Sequence, residues 1–215
     1  MDKLETEKNT NILLNDGIGI LPTDTLYGLV GRAFSKRAVA RIHELRNRSD
    51  RKPFIILIES IKDLKLFGIK PDKFSLGIMK KYWPARPHRY ARSQRCSDFG
   101  RAKHSGRGKV SIILPCDNEK LSYLHMGTKS LAFRIPNKKN LLDLLEKIGP
   151  LVAPSANHQS EKPALTIEEA RKYFDNEVDF YVDEGKLESL PSTLIKINNE
   201  KIEVLREGVT RIDNL

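Results

Sequence analysis

The chain has 215 residues, 31% of them charged, and a formal net charge of +10 at neutral pH. That length suits one domain with a buried core, and the basic excess points to an anionic partner: a nucleotide, RNA or a membrane surface. Two cysteines without paired spacing, Cys96 and Cys116, exclude a disulfide framework and a cysteine-built zinc site.

Residues 17–21 and 53–58, short and rich in Ile and Leu, read as buried strands. Directly after the first stands Pro22-Thr23-Asp24-Thr25-Leu26-Tyr27-Gly28, where a strand gives way to a loop. Ser35 is an N-cap for a helix carrying Ala38, Ile42 and Leu45 on one face, and Arg46-Asn47-Arg48 closes that helix. Further helical patterns lie near 61–67 and 72–82, separated by Pro71. Residues 109–114 and 130–135 read as strands, and 138–148 as an amphipathic helix stopped by Gly149-Pro150. A strand at 150–153 leads into Pro154-Ser155-Ala156-Asn157. Thr166 then caps a helix, with Glu169 at the third position completing a capping box. Strands near 179–182, 193–197 and 202–206 finish the chain. The mixture predicts one α/β domain over 1–215, an open twisted mixed sheet with flanking helices. No apolar run approaches the roughly 20 residues that span a bilayer. The charged N-terminus also lacks the apolar core of a signal peptide, so a cytoplasmic protein without a membrane partner is expected.

Residues 85–107 break the pattern. They contain no Leu, Ile, Val or Met, hold six of the sixteen arginines and carry a net charge of +6. Two readings stand. Arginines interleaved with Tyr90 and Phe99 suit an RNA-binding arm that contacts phosphates and stacks on bases. The same composition suits a disordered insertion with too little apolar surface to order itself.

Hydroxyls, an amide and two guanidinium groups brought together suit a polyanion such as ATP. Arg46 and Arg48, alternating after a helix, can both face one anion, and their planar forks match phosphate oxygens. Basic residues are also common at a helix C-terminus, where they complement the dipole. Thr23 and Thr25 offer hydroxyls to a ligand or serve their own turn, and Asp24 suits a turn cap. Tyr27 reads as a packed aromatic with a satisfied hydroxyl. Ser155 has no fixed histidine beside it in the pattern, and direct attack on ATP needs no enzyme nucleophile. The five histidines, at 43, 88, 104, 125 and 158, lack metal-ligand spacing.

Taken with KPFIILI at 52–58, LAFRIPN at 131–137, PSTLIKI at 191–197 and VLREG at 204–208, these motifs resemble the YrdC-like family, the threonylcarbamoyl-AMP synthases, from about Asn11 to Arg211. Arg46-Asn47-Arg48 stands where that family has Lys-x-Arg. The resemblance implies a nucleotidyltransferase making L-threonylcarbamoyladenylate and pyrophosphate from L-threonine, bicarbonate and ATP. A threonylcarbamoyl transferase complex would then modify an adenosine of tRNA. It implies Arg46 and Arg48 as catalytic and ATP-binding residues, with Ser111, Ser155, Asn157 and Arg206 also at ATP. Thr23, Arg134 and Ser192 would meet threonine, Arg134 at its carboxylate, with Thr193 carried beside Ser192. Magnesium is expected with ATP, held by phosphates and water. The end of the chain soon after VLREGVTRI implies the single-domain form. Where the family runs on unbroken, Trp83-Pro84 is parted here from Gly108-Lys109-Val110-Ser111, and removing 85–107 restores WPGKVSIILP. The rival readings are a non-catalytic RNA-binding protein of the same fold and a carbamoyl-adenylate-forming domain, whose usual zinc-binding cysteines are missing here.

Overall fold

The computed structural model describes residues 3–46, 54–83, 108–198 and 200–213. Arg48 and the 85–107 segment lie outside the described residues. Helix α1 (Lys3–Leu14) leads into a hairpin of β1 (Ile18–Pro22) and β2 (Tyr27–Arg32), followed by α2 (Lys36–Leu45) and β3 (Ile55–Leu57). A 3-10 helix at Ile61–Phe67 and α3 (Lys73–Tyr82) come next, then β4 (Val110–Pro115), a short α4 (Ser122–His125) and β5 (Ser130–Arg134). The rest is α5 (Lys139–Ile148), β6 (Leu151–Val152), α6 (Ile167–Phe174), β7 (Phe180–Tyr181), β8 (Thr193–Asn198) and β9 (Lys201–Arg206). The nine strands of the described residues form one mixed sheet in the order β7-β1-β2-β6-β3-β5-β4-β8-β9. Neighbours run parallel at β1–β7, β3–β5 and β4–β8 and antiparallel elsewhere.

Several local expectations hold in detail. Ser35 Oγ accepts the Ala38 N–H at 3.1 Å, opening α2. Thr166 Oγ1 accepts the Glu169 N–H at 3.3 Å, but the Glu169 carboxylate takes the Leu165 N–H at 2.7 Å. The capping box therefore closes one residue before the cap. Two elements escape the sequence pattern. The run KLETEKNTNILL places three of its four apolar residues together at its end, with no helical stripe, and α1 is secured by packing Leu13 against α5. Strand β2, YGLVGR, carries two glycines that weaken strand propensity; its register with β1, Ile18↔Gly31 to Pro22↔Tyr27, supplies what propensity does not.

Alternation along the strands divides the core. Ile18, Ile20, Tyr27, Leu29, Ile56 and Val152 face one cluster, closed by α2, α3 and α6. Leu21, Val30, Leu57 and Leu151 face the other, closed by Leu13 of α1 and by Leu141, Leu145 and Ile148 of α5. On β4 and β5 the first face takes Val110, Ile112, Leu131 and Phe133, so Ser111 and Arg134 fall on the second. The apolar cluster under α1 and α5 does not extend to β4, β8 or β9, and that end of the second face carries buried polar side chains.

The sheet also curls. In register, Arg134 aligns with Leu57 and Leu151, far along the strands from Pro22, yet its side chain meets Asp24 just beyond Pro22. Twist of about 20–25° per strand, accumulated across four steps, brings such diagonal corners together. The concave side between them is a cleft. The described residues on either side of 84–107 lie side by side at the cleft rim: Gly108 N–H donates to Tyr82 O at 2.9 Å, and Trp83 Nε1 donates to Val110 O at 2.8 Å. Gly108 has φ +86°, and a Cβ there would stand 2.7 Å from Asn137 N, so glycine is required twice over.

Candidate active site

The β1–β2 turn is built by its threonines. Thr23 Oγ1 donates to Leu26 O at 2.7 Å and accepts the N–H groups of Thr25 and Leu26 at 3.1 and 3.3 Å. Thr25 Oγ1 lies 3.1 Å from it, and both residues are buried. The Thr23 hydroxyl is thus spent inside the turn, and what it gives the cleft is a fixed turn shape. Tyr27 is fully buried; its hydroxyl donates to Gly185 O at 2.7 Å and accepts the Glu184 N–H at 3.0 Å. Burial, then the neighbouring Asp183 and Glu184 charges, push the phenol up despite that N–H, so it stays protonated at neutral pH as a structural tie.

The 154–157 loop lies against the start of β2. Leu29 N–H donates to Pro154 O and Ala156 N–H to Tyr27 O, each at 2.9 Å, and Gly28 bridges to Ser155. A Cβ on Gly28 would stand 3.2 Å from Thr23 Cγ2, so the glycine lets the turn and the loop close on each other. Arg46, at the end of α2, donates from Nη1 to Ser155 O at 2.6 Å, with Ser155 Oγ 3.5 Å away. Asn157 is 4% exposed; its Nδ2 donates to His158 O at 2.7 Å and Glu161 O at 2.9 Å, while Oδ1 is buried with no partner. His158 is occupied elsewhere: Nδ1 is 2.8 Å from Leu45 O, and its ring stands edge-on to Tyr173 and Phe174.

Across the cleft, on the second face, stand the other expected residues. Ser111 Oγ and Ser192 Oγ are 2.9 Å apart and buried. Arg206, ending β9, donates to Ser192 O from Nε and Nη2 at 3.1 and 2.8 Å, and from Nη2 to Ser192 Oγ at 3.2 Å. Withdrawal from water and the positive charge of Arg134 pull the Arg206 guanidinium below the usual arginine range, which still leaves it charged. Arg134, 3% exposed, donates from Nη1 to Asp24 Oδ1 and to Gly108 O at 3.4 Å; its Nε is buried without a partner. Thr193 belongs to the frame, donating from Oγ1 to Thr210 O at 2.6 Å.

Arg46, Ser155, Thr23, Arg134, Arg206, Ser192 and Ser111 therefore follow one another around a single cleft, with Asn157 on the same loop as Ser155. Sequence reasoning passed over Asp24, treating it as a turn cap. Its partner lies 110 residues away on β5, and an acid among hydroxyls was the one available sign. Among the described residues no group of three or more His, Cys, Asp or Glu is placed to hold a metal, and both Asp24 oxygens are already used, by Arg134 and by the Asn137 N–H at 2.9 Å. The donor set is one for anions: guanidinium groups, hydroxyls and an amide.

The chain matches the Sua5/YciO/YrdC family model, described as telomere recombination, over residues 11–115 and 87–208. It belongs to the Sua5/YciO/YrdC family. A Methanocaldococcus jannaschii relative is 29% identical to this family member over 205 residues, 94% of this chain and 85% of its own length. The Bacillus subtilis threonylcarbamoyl-AMP synthase is 28% identical over 201 residues, 92% of this chain but 51% of its own length. The crystal structure of Pyrococcus abyssi Sua5 complexed with L-threonine superposes with a TM-score of 0.79 at 22% identity, covering 97% of this chain and 55% of that one. This Sua5/YciO/YrdC chain thus shares the fold and spans about half the length of those two longer relatives.

Proposed function

We propose that this chain is an L-threonylcarbamoyladenylate synthase that uses L-threonine, bicarbonate and ATP and supplies a tRNA threonylcarbamoyl transferase complex in the cytoplasm. One observation carries the reading: Arg134, paired with Asp24, lies close enough to Arg206 for their charges to interact, and Arg206 is held on the Ser111–Ser192 hydroxyl pair. A family relative with this activity matches nearly the whole chain.

Bicarbonate and the threonine amine would condense to a carbamate with loss of water. A carbamate oxygen would then attack the α-phosphorus of ATP, forming the new P–O bond as the bond to pyrophosphate breaks. The protein's part is positioning and charge. Ser155 and Asn157 take the nucleotide, the buried Asn157 Oδ1 awaiting a donor. Arg46 and, by the family motif, Arg48 would serve the phosphates, Arg46 also fixing the loop through the Ser155 carbonyl. Arg134 takes the threonine carboxylate, and Ser192 and Thr23 shape its pocket. Magnesium, arriving with ATP, would screen phosphate charge. The described residues offer it no cage. Residues 85–107 are read as an insertion at the cleft rim, supported by the juxtaposed Tyr82 and Gly108.

Pyrophosphate release, measured with ATP, threonine and bicarbonate each omitted in turn, tests the reading. Release should need all three. Release with carbamoyl phosphate in place of threonine and bicarbonate would favour carbamoyl-adenylate formation. Salt-sensitive RNA binding without any release would favour a non-catalytic role.

A further inference from the structure

The side of the cleft away from Arg46 brings together the Arg134 and Arg206 guanidinium groups and the Asp24 carboxylate. Arg206 is satisfied by the neutral Ser192, and the Asp24 side chain, 5% exposed, is the carboxylate paired with Arg134. We infer that Asp24 is a positioning residue: it holds Arg134 from behind, by Nη1, so that the Nε edge of the guanidinium faces the substrate carboxylate. The inference rests on the proposed threonine site.

The geometry separates this from the alternative, that Asp24 merely plugs the anion site until substrate arrives. A guanidinium carries five N–H donors in a rigid plane, and its Nε side matches two carboxylate oxygens. A plug would sit on that side. Asp24 instead takes Nη1, the atom that also leans toward Gly108 O, and leaves Nε buried and without an acceptor. Its second oxygen accepts the Asn137 N–H at 2.9 Å, so the carboxylate is pinned to the backbone beyond β5 and cannot swing with a ligand without breaking that bond. A buried donor left unpaired is costly, and it is retained where a ligand completes it. Charge agrees. Asp24 neutralises one guanidinium, and an incoming carboxylate would neutralise the other.

Calorimetric titration of L-threonine, of L-threoninol, which lacks the carboxylate, and of ATP into the full chain tests this. The parent should prefer threonine to threoninol. Asp24→Asn should weaken threonine binding about tenfold to a hundredfold, the worth of a charge-assisted hydrogen bond, and bring the two affinities close together. Threoninol and ATP should bind nearly as before. Where Asp24→Asn fails to fold, Asp24→Glu carries the test: it keeps the charge but displaces the fork, so it should lower threonine affinity selectively and by less. Equal weakening of all three ligands, or no change in a folded variant, would overturn the inference and leave Asp24 a residue of the fold. A parent chain that binds no threonine would overturn the threonine site and the inference together, before any variant is made.

Discussion

Ser155 and Asn157 stand two residues apart, yet their side chains do different work. Asn157 Nδ2 ties His158 O and Glu161 O, so truncation strands two carbonyl acceptors in a place with little access to water. Asn157→Ala should cost about 1–3 kcal/mol and lower the melting temperature without any ligand. The Ser155 hydroxyl has only a 3.5 Å approach to Arg46, and Ser155→Ala should melt close to the parent. Both variants should lose most of the stabilisation that ATP gives the parent. Thermal melts with and without ATP check this, and a Ser155→Ala variant stabilised as strongly as the parent would remove the serine from the nucleotide site. The polar character of this loop was plain in the sequence. That Asn157 braces it, and that Thr23 spends its hydroxyl on its own turn, was not, because both facts depend on which backbone groups lie within 3 Å.

At the scale of elements, Asp179 joins three of them just before β7. Its carboxylate accepts the Ile18 N–H at 2.7 Å at the head of β1 and the Arg41 guanidinium of α2 at 2.8 and 3.2 Å. Burial alone would push this carboxyl up, but the Arg41 and Ile18 hydrogen bonds and the charges of Arg41 and Arg37 together outweigh it, holding it below the usual carboxylate range. A depressed folded-state value means stability that is present at neutral pH and is lost as pH falls through it. Asp179→Asn should therefore be less stable than the parent at pH 7, with the gap closing below about pH 4. Urea midpoints at pH 7 and pH 3 test the sign. Elements with strong periodicity, such as α2, α5 and β4, could be read directly from the chain. Strand β2 could not, since Gly28 serves contact with the turn and the Ser155 loop and Gly31 makes room for Ile42 and Ala38 of α2, and β7 was placed only roughly because its two residues are held by pairing with Gly19 and Ile20.

For the molecule as a whole, the juxtaposed ends at Trp83 and Gly108 make a prediction about the chain between them. With residues 85–107 removed, the Gly108 N–H to Tyr82 O bond would span three residues, the reach of a β-turn. The Trp83 indole would keep its bond to Val110 O. The shortened chain should therefore fold, melt at the same or a higher temperature and bind ATP at least as tightly, since loop closure becomes less costly. Weaker ATP binding after deletion would show that the segment belongs to the enzyme's working surface. The family pattern marked this junction in sequence; that its two sides meet is a fact of three dimensions.

Strand β6 has a consequence of a different kind. It is two residues long, and it is the seam between β7-β1-β2 on one side and β3-β5-β4-β8-β9 on the other. The segment around it is stitched to both halves, through Ala33 N–H to Pro150 O and Leu29 N–H to Pro154 O on one side and Ala153 N–H to Ile55 O on the other, each at 2.9 Å. The same segment runs on into Ser155 and Asn157. A ligand that grips that loop therefore clamps the joint of the sheet, and it should slow local opening well beyond the atoms it touches. Hydrogen exchange should show nucleotide-dependent protection at the amides of Leu29, Ala33, Ala153 and Ala156 together. Protection confined to the loop itself would mean that the two halves of the sheet are already locked without it.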